Sequence, residues 1–370
     1  MAAIAVARSH TRSKEEELYV ATQWTLMWRK FRKHKLAMVG TAVVILFYLI
    51  AIFAEFIATQ DPLKRSTDFI HVPPQGIHFF GEKGLIYAYG LKQEEDPVTW
   101  KRVYKEDTSI QRPISFFVHG DKYKMWGIIE SDLHLFGVKE GQLFLFGTDD
   151  SGRDMFSRVM YGIRISMSIG LVGVAFTFIL GTVIGGISGY YGGSVDFIIQ
   201  RIIEFILSMP NIPLWMALSA VLPKEWPPTT VYFAISIILS LIGWCGLARV
   251  VRGKMLELRE EDFIEASRLA GASDAVIIFD HMLPGFISYL IVNITLSIPA
   301  MILAETSLSF LGVGLRPPAI SLGVLLQQAQ NVRTIALQPW LMVPGVFIFI
   351  IILAFNFMGD GLRDAADPYK

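Results

Sequence analysis

Glu265-Ala266-Ser267-Arg268-Leu269-Ala270-Gly271, followed at a distance by Leu283-Pro284, is a short run of charged and small residues set between long apolar stretches. That placement makes it a loop at a membrane face, with helical content that serves something other than spanning. Glu260-Glu261-Asp262 puts negative charge at the start of a short helix, where the helix dipole favours it. Phe263, Ile264, Ser267, Leu269 and Ala270 continue the helical run. Gly271 ends it, because a left-handed residue after a helix costs least as glycine. Ser273 suits the N-cap of a second helix running to His281, with Pro284 marking its exit. Two short helices at an angle make a compact knob. Ala266 and Ala270 keep its surface low enough to enter a groove, and Glu265 offers a carboxylate to an arginine or backbone donor there. An ordinary helical hairpin between two spans is the alternative.

Composition sets the frame around this loop. The 370 residues are 53% hydrophobic and 18% charged, with mean hydropathy +0.47. A soluble domain carries roughly a quarter charged residues, so the balance is that of an integral membrane protein. Thirty-three basic and 33 acidic residues give a net charge of zero, which leaves no bulk-charge case for nucleic-acid binding. The single cysteine, Cys245, lies in an apolar run and reads as a small core residue. The histidines (His10, His34, His71, His78, His119, His134 and His281) show no i,i+3 or i,i+4 pairing. No Cys/His cluster has zinc spacing, so no metal site is expected. Met1–Ser13 lacks the apolar core of a cleavable signal peptide.

Crossing a bilayer takes roughly 20 apolar residues in a helix. The first such run is Leu36–Ile57, preceded by Arg29-Lys30-Phe31-Arg32-Lys33-His34-Lys35. These fixed positive charges place the N-terminus in the cytoplasm. Further spans are expected at Ile165–Ser188, about Ile202–Leu222, Val231–Val250, about Ile287–Leu311 and Leu341–Met358. The third of the six is interrupted by Pro210 and approached by Asp196, Arg201 and Glu204. Six crossings leave both termini inside, together with the Arg252–Gly285 loop, whose basic residues agree with the charge rule. The expected organisation is a cytoplasmic segment at 1–35, a first transmembrane helix at 36–58 and an extracytoplasmic β-rich insertion at 59–146. A core at 147–358 follows, with five transmembrane helices and the cytoplasmic loop at 251–285, and then a cytoplasmic tail at 359–370.

The insertion alternates aromatic and β-branched residues with turn formers. Strands are expected at Gly84–Gly90, Ile114–His119, Lys122–Gly127 and Leu133–Phe136, with Gly120-Asp121 as a turn. A loop this long has structure or a job of its own; it is either a cap over helix ends or a contact surface. After it, Thr148 or Asp149 is expected to cap an amphipathic helix bearing Met155, Phe156, Val159 and Met160. That helix is expected to lie on the outer membrane surface before the second span.

The central loop, Glu-Ala-small-x-x-x-Gly with Leu-Pro beyond, resembles the EAA loop of ABC importer permeases. Gly147-Thr-Asp-x-x-Gly152-Arg153-Asp154-x-x-Ser157-Arg158-x-x-Tyr161-Gly162-x-Arg164-x-Ser166 is similar to the entry to the second span in dipeptide/oligopeptide permeases. Leu303-Ala-Glu-Thr-Ser-Leu-Ser-Phe-Leu-Gly312 with Arg316-Pro-Pro318 resembles their fifth span and following loop. Asn356-Phe-Met-Gly-Asp-Gly-Leu-Arg-Asp364 with Asp367-Pro368 resembles their C-terminus. The motifs fall in the family's order from Phe146 onward and are those of the C-type subunit of the peptide/nickel group. Departures are His281, where the wider family usually has isoleucine, and Pro317-Pro318-Ala319-Ile320-Ser321-Leu322-Gly323, which lacks the family's later proline and tryptophan. The insertion is also longer than in an ordinary member. The changes to the loop and the insertion face the binding-protein side, so they bear on substrate class more than on mechanism.

The resemblance implies an all-α integral membrane fold: six transmembrane helices of ABC type I importer permease architecture with a small β-rich extracytoplasmic insertion. It implies an ATPase-coupling role for Glu265, Ala266, Ser267, Arg268, Ala270, Gly271, Leu283 and Pro284. Implied partners are a homologous permease, two ATPase subunits and an extracytoplasmic solute-binding protein in an inner membrane; no nucleic acid is implied. The chain has no Gly-x-x-x-x-Gly-Lys-Ser/Thr phosphate loop, so ATP is expected on the partners, with no cofactor and no catalysis here. Peptides are the first expectation for substrate and oligosaccharides the second. Glu305, Thr306, Ser307, Arg201 and Glu204 are intramembrane polar residues, costly to bury and so candidates for the pathway or for interhelical bonds. Gly181, Gly185 and Gly189 permit close helix approach. A secondary transporter would show broken helices or inverted repeats, and a membrane-embedded enzyme a nucleophile–base pair. No convincing repeat and no such pair is present in the sequence.

Overall fold

The computed structural model describes residues 23–81, 84–95, 97 and 102–366. The first 22 residues and Asp367-Pro368 lie outside the described residues. Among those described, helices predominate and one small antiparallel sheet is inserted.

A short helix, α1 (Gln23–Lys33), carries Lys30, Arg32 and Lys33 in its last turn. His34 then caps α2 (Lys35–Ile52), its Nδ1 accepting from Ala37 N at 3.1 Å. The expected first span is broken at Phe53, after which α3 (Ala54–Ile57) forms a single turn. The insertion follows: β1 (His78–Gly81), β2 (Gly84–Glu95), β3 (Arg102–Met125) and β4 (Ile129–Val138), paired in chain order as an antiparallel meander. The expected turn at Gly120-Asp121 does not form. Those residues sit in an irregularity between His119 and Tyr123 within one long strand, and the chain reverses at Trp126-Gly127-Ile128 instead.

The helix α4 (Met155–Tyr191) runs unbroken for 37 residues. The separate surface helix expected before the second span therefore does not form. Met155, Phe156, Val159 and Met160 are all buried as the first turns of α4 itself. Nothing between Ile163 and Ser166 breaks a helix, so the amphipathic and apolar parts fuse. Its cap is Asp154, accepting from Ser157 N at 2.8 Å, not Thr148 or Asp149.

Beyond Gly192, α5 (Gly193–Leu207) and α6 (Asn211–Ala220) meet at 86°, the bend falling at the proline read in the sequence. Then come α7 (Pro228–Arg259), α8 (Asp262–Leu269) and α9 (Asp274–Val276). A π-helical turn (Ile277–Met282) leads into α10 (Leu283–Phe310). Two short helices, α11 (Leu322–Gln327) and α12 (Val332–Leu337), precede a 3-10 turn (Pro339–Met342) and α13 (Val343–Ala366). Five of these segments are long and apolar enough to cross a membrane, or six if the bent α5–α6 pair counts as one.

Directions follow from the packing. Gly181 of α4 lies against Leu247, Gly185 against Ala248 and Gly189 against Met255. The two helices therefore run side by side in the same direction. The spacing is close enough that a Cβ at Gly185 would sit 2.4 Å from the Ala248 carbonyl oxygen, which is what small residues at a helix interface permit. By contrast α2 is antiparallel to α13, with Gly361 on Ala37, Gly40 on Ala354 and Phe47 on Phe347. The main core joins α2, α4, α7, α10 and α13 through Phe47, Ile163, Leu239, Ile302 and Phe355.

Candidate functional site

The knob read from the sequence is present at the joint between α7 and α10. The helix α8 ends in a pair of bonds, Ala272 N to Ser267 O at 3.1 Å and Gly271 N to Arg268 O at 3.0 Å. This is the Schellman closure, and Gly271 takes the left-handed φ of +81° that it requires. The second short helix departs from expectation. Ser273 holds the N-cap backbone position without a side-chain cap bond, and after only the three residues Asp274–Val276 the chain widens into the π-helical turn. Pro284 opens α10 rather than ending a helix. Having no N–H to give the preceding turn, it coincides with the π-helical widening. The change of direction falls at Phe286, whose φ/ψ of −129°/15° is non-helical.

The knob is seated by apolar contact. Ile264, Ile277, Met282 and Phe286 are buried against Val251 and Met255 of α7, Tyr190 of α4 and Leu290 of α10. Two polar ties fix its orientation. Tyr190 and Tyr191 donate to the two carboxylate oxygens of Asp274 at 2.7 and 3.5 Å, and Arg259 Nη1 donates to Tyr190 O at 3.4 Å. Beside it Arg252 clasps Asp196 at 2.5 Å and Ser188 Oγ donates to the same carboxylate, binding α4, α5 and α7 at one level.

Of the coupling residues expected from sequence, Glu265, Ala266, Arg268, Ala270, Gly271 and Pro284 are exposed, and Ser267 and Leu283 half-buried. Ser267 Oγ is turned back onto Phe263 O at 2.8 Å. Sequence reading did not single out the apolar crest around them: Leu269 is 85% exposed and Phe279 64%, with Phe263 and Val276 also exposed. Their signal was the amphipathic spacing of α8, which buries Ile264 and leaves Phe263 out.

The candidate intramembrane residues separate into two groups. Glu305 is fully buried and accepts from Ser309 Oγ at 2.8 Å and Ser166 Oγ at 3.3 Å. Those hydroxyls in turn accept from Leu315 N and Leu322 N, so one carboxylate ties α4, α10 and the start of α11. Thr306 is buried with no hydrogen-bond partner among the described residues, and Ser307 is half-buried, donating to Leu303 O. Arg201 and Glu204 lie elsewhere, as an exposed i,i+3 pair at 2.7 Å on α5.

At the opposite end of α4 the residues are charged and buried. Asp149, wholly buried, receives Arg153 Nε at 2.8 Å and also Arg158, which is itself buried. Asp154 accepts from Thr59 Oγ1 at 3.3 Å, and burial pushes its carboxyl up to about 6. Glu55 pairs with Arg164 of α4.

Residues 181–369 match the sequence profile of the binding-protein-dependent transport system inner membrane component, and residues 22–74 that of the N-terminal TM domain of oligopeptide transport permease C. The dipeptide transport system permease protein DppC of Lactococcus lactis subsp. cremoris is 32% identical over 92% of this chain and 89% of the relative. The glutathione transport system permease protein GsiD of Escherichia coli O6:K15:H31 is 33% identical over 94% and 91%. Among solved structures, a chain from inward-facing conformations of the MetNI methionine ABC transporter aligns over 57% of this chain and 97% of its own. Its identity is 20% and its TM-score 0.44.

Proposed function

This chain belongs to the family of binding-protein-dependent transport system inner membrane components, and from that premise we propose that it is one of two permease subunits of an ATP-driven peptide importer. The observation that carries the proposal is the knob: an exposed apolar crest on a seat shared by α4, α7 and α10. A patch of this kind on a monomer marks a partner surface. The partner is an ATPase subunit, and Leu269, Phe279 and Phe263 fill its groove while Glu265 and Arg268 meet its rim.

Parallel packing of α4 and α7 supports six crossings. The chain between Tyr191 and Pro228 must return to the face where α4 began, and the bent α5–α6 pair is what lies between them. The knob then shares a side with the α2 start and the α13 end. Basic Arg29–Lys35 supports that side as cytoplasmic. ATP-driven closure of two ATPases draws two knobs together, moving α4, α7 and α10 through their common seat. Opening toward a binding protein on the far side follows, and hydrolysis resets the pathway. ATP is held by the ATPases, so this subunit carries no catalytic residue or cofactor. Glu305 with its serines is an interhelical tie, and Arg201 and Glu204 face a neighbouring subunit.

Dipeptide, oligopeptide and glutathione transport in the names of relatives support peptides over oligosaccharides. The test is uptake into proteoliposomes holding this chain with its neighbouring permease, ATPases and binding protein. ATP-dependent accumulation of peptides is expected. Accumulation of oligosaccharides only would overturn the substrate class, and uptake without any ATPase would overturn the mechanism.

A further inference from the structure

The tip of the β3–β4 hairpin is built against the far end of the first span. The 18 residues of α2 rise about 27 Å at 1.5 Å each, close to the ~30 Å hydrocarbon thickness of a bilayer. With Lys35 at one boundary, the Ile52 carbonyl marks the other. Trp126 Nε1 donates to that carbonyl at 3.1 Å, and Trp126 N donates to Glu55 Oε1 at 3.3 Å. Farther along the hairpin, His134 Nδ1 bonds Ala58 O. From His134 to Trp126 the hairpin therefore descends beside α3 toward the bilayer, with its turn as the lowest point. Arg164 stacks over the indole at 4.5 Å and fixes it there.

What the turn presents at this level is apolar. Trp126-Gly127-Ile128-Ile129 contains no charge or hydroxyl, and Ile128 is 82% and Ile129 61% exposed. Higher on the same hairpin Phe117, exposed, packs by Phe56, and Phe53 at the end of α2 is exposed as well. Trp126 and Phe117 hold φ of +53° and +56°, a region that bulky residues rarely adopt. Their outward placement is thus maintained against a local cost. The face continues into exposed Ile45, Leu49 and Ile52 on α2, the apolar surface of a span. Just above the tip the Lys124–Glu130 pair restores charge.

We propose that the hairpin tip, Trp126–Ile129, inserts into the interfacial layer of the far leaflet and anchors the insertion to lipid. The indole takes the boundary position that tryptophan favours, and Ile128 and Ile129 reach the acyl edge as the apolar face of an interfacial element does. The anchor clamps β3 and β4 to the membrane and leaves the β1–β2 edge of the sheet to stand clear of it.

The test is site-directed spin labelling of Ile128→Cys, Ile129→Cys and Ile110→Cys in the purified full chain with its co-purifying subunits in lipid nanodiscs. Native Cys245 is buried, and Ile110 is exposed on β3 away from the tip. Oxygen is expected to collide with labels at 128 and 129 several-fold more often than a water-soluble nickel chelate does, with the order reversed at 110. Nickel-dominated collisions at all three sites would place the tip in water and overturn the anchor. Shielding of 128 and 129 from both reagents would mean a protein subunit covers the tip, and would overturn it equally.

Discussion

The two ends of α4 are held by opposite means. At its start Asp149, Arg153, Asp154 and Arg158 are buried together, and Glu55 of the first span's end grips Arg164. At its finish the knob rests on Ile264, Ile277 and Met282, with one aspartate held by two tyrosines. A buried ion network has few alternative arrangements, because each charge is costly to leave unpaired. Apolar contact is non-directional, so the knob's seat tolerates small rigid-body shifts that the outer lock does not. One end of the helix is thus fixed, and the other is free to take small shifts.

The largest expected effect breaks the outer lock. Asp149→Ala leaves buried Arg158 without its carboxylate and Arg153 with only Asp150, at 3.6 Å, a loss of about 3–5 kcal/mol. Thermal unfolding of the purified complex should show it, along with poor accumulation in the membrane. A knob substitution should do the reverse. Leu269→Asp alters a side chain that is almost wholly exposed, so stability should stay within about 0.5 kcal/mol. Substrate-stimulated ATP hydrolysis should nonetheless fall about tenfold or more, since hot-spot residues at an interface are worth upward of ~2 kcal/mol.

A smaller effect separates the ends by pH. Burial raises the folded Asp154 carboxyl to about 6 from an ordinary value of 3.8, so the folded state binds its proton more tightly than the unfolded. That contribution is complete below pH 4 and lost as pH rises through 6, about 1 kcal/mol between pH 5 and 7. Asp154→Asn keeps a capping side chain and should flatten this part of the melting profile. Gly271→Ala is the mildest. Open space surrounds the site, but φ is +81°, so strain of about 1 kcal/mol is expected, visible as faster amide exchange confined to residues near 267–274.

Much of this was legible in the sequence because it is local. Long apolar windows marked the spans, Pro210 marked the bend, and Gly271 marked the end of α8 by a conformation only glycine takes cheaply. What escaped depends on distant partners. Thr148 and Asp149 look like helix caps in isolation. In the fold Asp149 is engaged by two arginines, while Thr148 Oγ1 donates to Phe69 O and accepts from Val72 N, leaving the cap to Asp154. Gly120-Asp121 has turn composition, yet Asp121 is held by Lys64 and its carbonyl by His134, so the strand runs through it. Tyr190 and Tyr191 lie just past the expected end of the second span at Ser188, and nothing nearby in sequence announces Asp274 as their partner.

If the knob transmits motion through its exposed crest, that should show in peptide-stimulated ATP hydrolysis by the reconstituted complex carrying Leu269→Asp and Phe279→Asp together, measured beside the unaltered complex. Normal membrane insertion, an unchanged melting temperature of this subunit and loss of stimulation are expected. Stimulation at the unaltered level, with the substituted chain fully incorporated, would show that the crest does not carry the motion.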